Sequence, residues 1–111
     1  MAAIRSSRDV IIRTREWPEA LRFYETVLGF APAMREATLA GFDTGAIRLY
    51  VEAGEPHGPV FDFLVADVAA TRDRLLAAGC TLLEEDPELP RCYLRDPFGL
   101  IFNLGRAAAP G

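Results

Sequence analysis

Acidic, basic and aromatic side chains alternate with aliphatic ones along several short stretches of this chain, and these residues have the chemistry to offer. Asp9, Ile11 and Arg13 alternate with Val10 and Ile12, and Arg48, Tyr50 and Glu52 with Ile47, Leu49 and Val51. Val60, Asp62 and Leu64 interleave with Phe61, Phe63 and Val65. Tyr93 follows Cys92, and Ile101 and Asn103 interleave with Leu100, Phe102 and Leu104. Successive side chains of a strand point to opposite faces, so each stretch has an apolar face, which is expected to pack beneath helices, and a mixed one. A face that holds Asp, Arg, Tyr and Asn beside Ile, Leu and Val is too polar for a core and too apolar for plain exposure. Such a face suits the wall of a small-molecule pocket; a half-exposed antiparallel sheet is its other use. Asp9, Glu52, Asp62, Tyr50 and Tyr93 would favour a cationic or aromatic ligand, with Trp17 placed at the rim to stack on a planar group. In an enzyme, a carboxylate such as Asp9 or Asp62 would act as base, its pKa lifted by the apolar walls Ile11, Val60 and Leu64. No nucleophile stands beside an evident base.

The elements that must position these residues belong to one ordinary globular domain. The chain has 111 residues, half of them hydrophobic and a quarter charged. Its formal charge is −4, and all twelve basic residues are arginines scattered among acids. That pattern lacks the basic stripe of a nucleic-acid binder. No apolar run approaches the roughly 18 residues that span a bilayer. The opening Met1-Ala2-Ala3-Ile4-Arg5 lacks the apolar stretch of a secretory signal, so a cytoplasmic protein without membrane partners is expected. Cys80 and Cys92 have no Cys-x-x-Cys spacing and read as reduced structural thiols. His57, the only histidine, falls in the linker Ala53–Pro59, outside any predicted strand.

One grammar of elements occurs twice. A strand over 9–14 is followed by a helix start at Glu16-Trp17-Pro18-Glu19, a helical face of Ala20, Phe23, Tyr24, Val27 and Leu28, and a stop at Gly29. A strand over 60–65 is followed by Asp67 as N-cap, a face of Val68, Thr71, Leu75 and Ala78, and a stop at Gly79. Each helix is then followed by three short strands, near 31–35, 38–42 and 47–52, and near 81–85, 91–95 and 100–104. Turns fall at Asp43-Thr44-Gly45 and Asp96-Pro97-Phe98-Gly99. The chain therefore spells β-α-β-β-β with a period of about 50 residues.

Phe23-Tyr24 through Val27-Leu28-Gly29-Phe30 resembles the FY…VLGF segment of the vicinal oxygen chelate superfamily, which holds glyoxalase I, bleomycin-resistance proteins, fosfomycin-resistance transferases and extradiol dioxygenases. Asp96-Pro97-Phe98-Gly99 through Asn103-Leu104 resembles its DPxGxxxEL ending, and Val65-Ala66-Asp67 through Ala78-Gly79 its middle helix. The likeness covers about residues 8 to 105. It implies a single α+β domain over 1–111, made of two tandem β-α-β-β-β modules (about 8–53 and about 59–105) that form an open, cleft-bearing mixed β-barrel. In the enzymes of the group the cleft holds one divalent metal, with ligands from the first and last strand of each module. Those positions fall here on Asp9, on Arg48 or Tyr50, on Val60 and on Asn103. Val60 cannot ligate, Arg48 would repel a cation and Asn103 is a weak neutral donor, which leaves Asp9 as the one good ligand.

The resemblance therefore implies a metal-free small-molecule-binding protein of the glyoxalase/bleomycin-resistance type, with drug binding and antibiotic resistance as its setting. Its ligand would meet Asp9, Ile11, Arg13, Arg48, Tyr50, Glu52, Val60, Asp62, Tyr93, Asn103 and Trp17. The alternative is a lyase, isomerase or dioxygenase of the same group whose Zn, Ni, Mn or Fe site is completed by His57 or by another chain. Members commonly dimerise and the strand edges are open, so a homodimer is expected.

Overall fold

The computed structural model describes residues 4–107. Its described residues form eight strands and two helices, an α+β chain: β1 (Arg5–Thr14), α1 (Trp17–Arg22), β2 (Ala31–Arg35), β3 (Leu39–Asp43), β4 (Arg48–Ala53), β5 (His57–Val65), α2 (Val68–Ala77), β6 (Thr81–Asp86), β7 (Arg91–Arg95) and β8 (Ile101–Arg106). No helix among them is long and apolar enough to cross a membrane. The contacts divide the described residues into two compact units, one of Arg8–Pro59 and one of residues 4–7 together with 60–107.

In the first unit the strand order is β2-β3-β4-β1. β1 and β4 run parallel, and β3 is antiparallel to both β4 and β2. A parallel pair cannot be closed by a tight turn, and the chain from α1 to β3 supplies the long connection. The core lies on the helix side: Trp17 and Leu21 of α1 pack with Ala40, Phe42, Leu49 and Val51, which are the alternate residues of β3 and β4. Fully burying one aliphatic side chain of this kind contributes about 1.5–3 kcal/mol.

The first helix departs from its expected pattern. Past Arg22 it continues as a π-helical turn over Phe23–Val27, with the Leu28 amide bonded to the Phe23 carbonyl at 3.1 Å and the Phe30 amide to that of Tyr24 at 3.0 Å. A π turn places one extra residue in the helical circuit and so rotates everything after it. The buried face is Trp17 and Leu21, with Ala20 and Tyr24 half-buried beside them. Phe23, Val27 and Leu28, expected inside, are 48%, 67% and 48% exposed.

In the second unit the order is β5-β8-β7-β6, with β5 and β8 parallel and the other neighbours antiparallel. Asp67 caps α2 as expected, its Oδ1 accepting the Ala70 amide at 3.0 Å. Val68 and Leu75 of α2 pack on Val65, Cys92, Leu94, Phe102 and Leu104, while Ala78, expected on the same face, is exposed. In the turn before β8, Asp96 Oδ1 accepts the amides of Phe98 and Leu100.

Cys92 is buried under α2 and Cys80 is half-buried against the same core. Burial pushes both thiols upward, reinforced by Asp96 at Cys80 and by Glu85 at Cys92. The thiolate is the reactive form, so the native protein is expected to react much more slowly with a thiol reagent at pH 8 than in urea. Prompt labelling of both cysteines in the native state would contradict this packing.

Candidate functional site

In the first unit the parallel register sets Asp9 beside Arg48, Ile11 beside Tyr50 and Arg13 beside Glu52. These six residues share the face away from α1, because Leu49 and Val51 turn to the helix side. The charges are crossed. Arg48 Nε donates to Asp9 Oδ1 at 2.9 Å at one end, and Arg13 Nε donates to Glu52 Oε1 at 3.0 Å at the other. Each carboxylate is thereby balanced by a guanidinium, so Asp9 and Glu52 do not by themselves argue for a cationic ligand. The two pairs differ in openness: the Arg13 side chain is 15% exposed and that of Arg48 is 46% exposed.

Tyr50 stands between the pairs with its ring against Gly41 of β3, where a Cβ would fall 3.0 Å from Tyr50 Cε1 and 3.0 Å from Met34 Cγ. Only glycine leaves the ring where it is. Gly41→Ala is expected to destabilise the protein by about 1–3 kcal/mol through overpacking and to displace the tyrosine. A thermal melt reads the first effect and the Tyr50 ring resonances read the second.

In the second unit Asp62 of β5 lies opposite Asn103 of β8. Asn103 Nδ2 donates to Asp62 Oδ1 at 3.0 Å, and Asn103 Oδ1 accepts the Cys92 amide at 2.8 Å. The Ser7 hydroxyl donates to Asp62 Oδ2 at 2.8 Å. Gly105 leaves space for this knot, since a Cβ there would sit 3.1 Å from Asp62 Oδ1. Neither Ser7, Gly41 nor Gly105 was among the residues singled out from sequence. The two strand glycines were the available signal, because glycine inside a strand often marks a close approach.

Several expected site residues lie elsewhere. Trp17, placed at the rim of the ligand face by the sequence, is instead a core residue, with its indole Nε1–H donating to the Val51 carbonyl at 2.8 Å. Val60 and Tyr93 are only 1% and 2% exposed, so neither offers open surface, and the Arg91 guanidinium lies 4.8 Å over the Tyr93 ring centroid. His57 is the first residue of β5 and half-buried, not part of a loop. Two hollows within the units, of about 290 and 590 Å³, are lined by none of the expected ligand-binding residues; of the expected apolar walls, Leu64 alone borders one of them, the larger.

The donor set does not fit a divalent metal. Of the four positions that the resemblance assigns to ligands, Val60 has no donor atom. Both amide atoms of Asn103 are engaged, and Asp9 is bonded to Arg48, which with Tyr50 is one of the two candidates for the remaining position. No three His, Cys, Asp or Glu side chains converge among the described residues.

Comparison with known proteins places these strands in a recognised group. A family model described as a glyoxalase-like domain matches residues 9–105. Among curated protein sequences, none is similar enough to count as a relative. Among solved structures, the Mn(II)-bound glyoxalase from Novosphingobium aromaticivorans is similar to all of this chain at 22% identity with a TM-score of 0.66. A variant of homoprotocatechuate 2,3-dioxygenase from B.fuscum is similar over 96% of it at 14% identity and 0.67. The chain spans 42% of the first and 33% of the second. A glyoxalase/bleomycin resistance protein/dioxygenase superfamily member from Vibrio splendidus 12B01 is matched along its full length by 96% of this chain, at 15% identity and a TM-score of 0.60. At these identities the likeness establishes the fold.

Proposed function

This chain belongs to the glyoxalase-like domain family, and from that premise we propose that it binds a drug-sized organic molecule without a metal. The observation that carries the reading is the ion pair between Asp9 and Arg48. The strongest ligand of the expected set is already bonded to a fixed positive charge supplied by the chain itself. A second cation at Asp9 would have to displace that guanidinium and then sit beside it, with like-charge repulsion at close range. What the β1–β4 face offers instead is an aromatic ring, an aliphatic side chain and hydrogen-bonding groups close together, which is the make-up of an organic-ligand site.

Metal analysis of protein purified without chelator tests the first half of the proposal, and thermal melts with aromatic compounds test the second. Metal well below one ion per chain is expected, as is an unfolding temperature that neither EDTA nor Mn(II) shifts. A binding compound raises that temperature in proportion to its concentration over Kd. Stoichiometric metal, or stabilisation by several degrees on adding Mn(II), would overturn the metal-free reading and favour a lyase, isomerase or dioxygenase.

A further inference from the structure

On the β1–β4 face Arg48 and Tyr50 keep donors that no described residue accepts. Arg48 is held through Nε alone, so its two terminal amino groups have no acceptor among the described residues. The Tyr50 hydroxyl likewise makes no hydrogen bond to the described residues. Arg13, on the same face, is closed off by Glu52 and more deeply buried. A guanidinium has five N–H donors in a rigid plane, and fixing Nε on Asp9 leaves the outer fork pointing away from that carboxylate. Tyr50 lies two residues along the same strand face, about 7 Å away at strand spacing. Its ring is held over Gly41, and Ile11 is its neighbour in the β1–β4 register.

We infer that the ligand of this face is an organic carboxylate with an aromatic or branched apolar body. The carboxylate takes the outer fork of Arg48, and the body lies on Ile11 and the Tyr50 ring. Asp9 is a positioning residue that orients Arg48 and touches no ligand atom. The inference rests on the small-molecule reading above and gives it a chemical class. The chain's net charge of −4 does not oppose it strongly, because charges beyond about 8 Å are screened at physiological salt and the four charged groups of this face cancel.

The test is a set of titrations of the full ¹⁵N-labelled chain with benzoate, benzamide and benzylamine, which share a ring and differ in charge. Benzoate is expected to shift the Arg48 Nε–H signal and the amides of β1 and β4, with benzamide and benzylamine weaker by about tenfold or more, as suits a charge-assisted fork. Arg48→Gln should remove most of that preference, and its own spectrum reports whether it folds. If it does not, Arg48→Lys, which keeps the charge and loses the fork, should weaken benzoate in the same direction. Benzamide or benzylamine shifting these amides as strongly as benzoate would overturn the carboxylate assignment and leave the small-molecule reading standing. Benzoate binding unchanged in the Arg48 variants would do the same. If no probe moves β1 or β4, this face is not the ligand site and both readings fall.

Discussion

Replacing Trp17 by alanine is expected to lower the unfolding free energy by about 3–5 kcal/mol. The indole is only 9% exposed and packs in one cluster with Leu21, Ala40, Phe42, Leu49 and Val51. Removing it opens a cavity that the surrounding side chains can fill only in part. The Val51 carbonyl would also lose the indole N–H that donates to it at 2.8 Å. A domain of this size has about 5–15 kcal/mol in total, so the loss is a large fraction of its stability. Trp17→Phe keeps most of the packing and drops the hydrogen bond, for an expected cost of about 1–3 kcal/mol. Urea denaturation followed by circular dichroism separates the two, and an unchanged midpoint in Trp17→Ala would show that the ring is not structural. The same location predicts that Trp17→Phe leaves ligand affinity at the β1–β4 face unaltered.

Asn103→Asp should have the next largest effect, though it replaces a single amide nitrogen by oxygen. The nitrogen donates to Asp62 Oδ1 at 3.0 Å; in the variant two carboxyl groups face each other at that distance. They cannot both be charged without strong repulsion, so the pair keeps one proton well above the ordinary carboxyl range. An upward shift of one to three pH units corresponds to about 1.4–4 kcal/mol. Its sign follows from proton binding: the folded variant holds a proton that the unfolded chain releases, so its relative stability is present near pH 4 and lost as pH rises towards 7. The bond from the Cys92 amide to Asn103 Oδ1 survives, since that oxygen remains. Chemical denaturation at pH 4, 5.5 and 7 measures the difference from wild type. A deficit that does not grow with pH would remove Asp62 from the account.

Strand faces were the most legible part of the molecule. Leu49 and Val51 alternate with Arg48, Tyr50 and Glu52, and Phe102 and Leu104 flank Asn103, because in each unit a helix covers one face of the strands, and that physical cause writes a period of two into the sequence. The cap of α2 was legible for a similar local reason, Asp67 being within reach of the Ala70 amide. Two things were not. The π-helical turn at Phe23–Val27 leaves the composition of α1 ordinary while shifting the face beyond it, so counting by threes and fours put Val27 and Leu28 inside. The ion pair of Asp9 with Arg48 joins residues 39 positions apart, and nothing local to either reports the other. Sequence could show that both lie on the polar face, but their pairing, which decides whether Asp9 is a spare acid, needed the register. Trp17 was misplaced for a related reason: a large aromatic at a helix start serves a core or a rim equally well, and its partner Val51 lies 34 residues away.

The crossed arrangement of those charges bears on how the chain avoids misalignment. β1 and β4 are parallel and separated by a long connection, so no hairpin fixes which residue meets which. A slip of one residue turns the polar face into the core and is rejected by hydrophobicity. A slip of two preserves the faces and would be harder to reject, except that it sets Asp9 against Tyr50 or Arg13 against Tyr50 and dissolves both pairs. A slip of four sets Asp9 against Glu52, or Arg13 against Arg48, and like charges oppose each other. Exposed ion pairs contribute only about 0–1 kcal/mol each to stability. Even so, acid and base exchanged between the two ends make every even-numbered misalignment worse than the native one, and weak interactions can thereby proofread a pairing that the backbone leaves open.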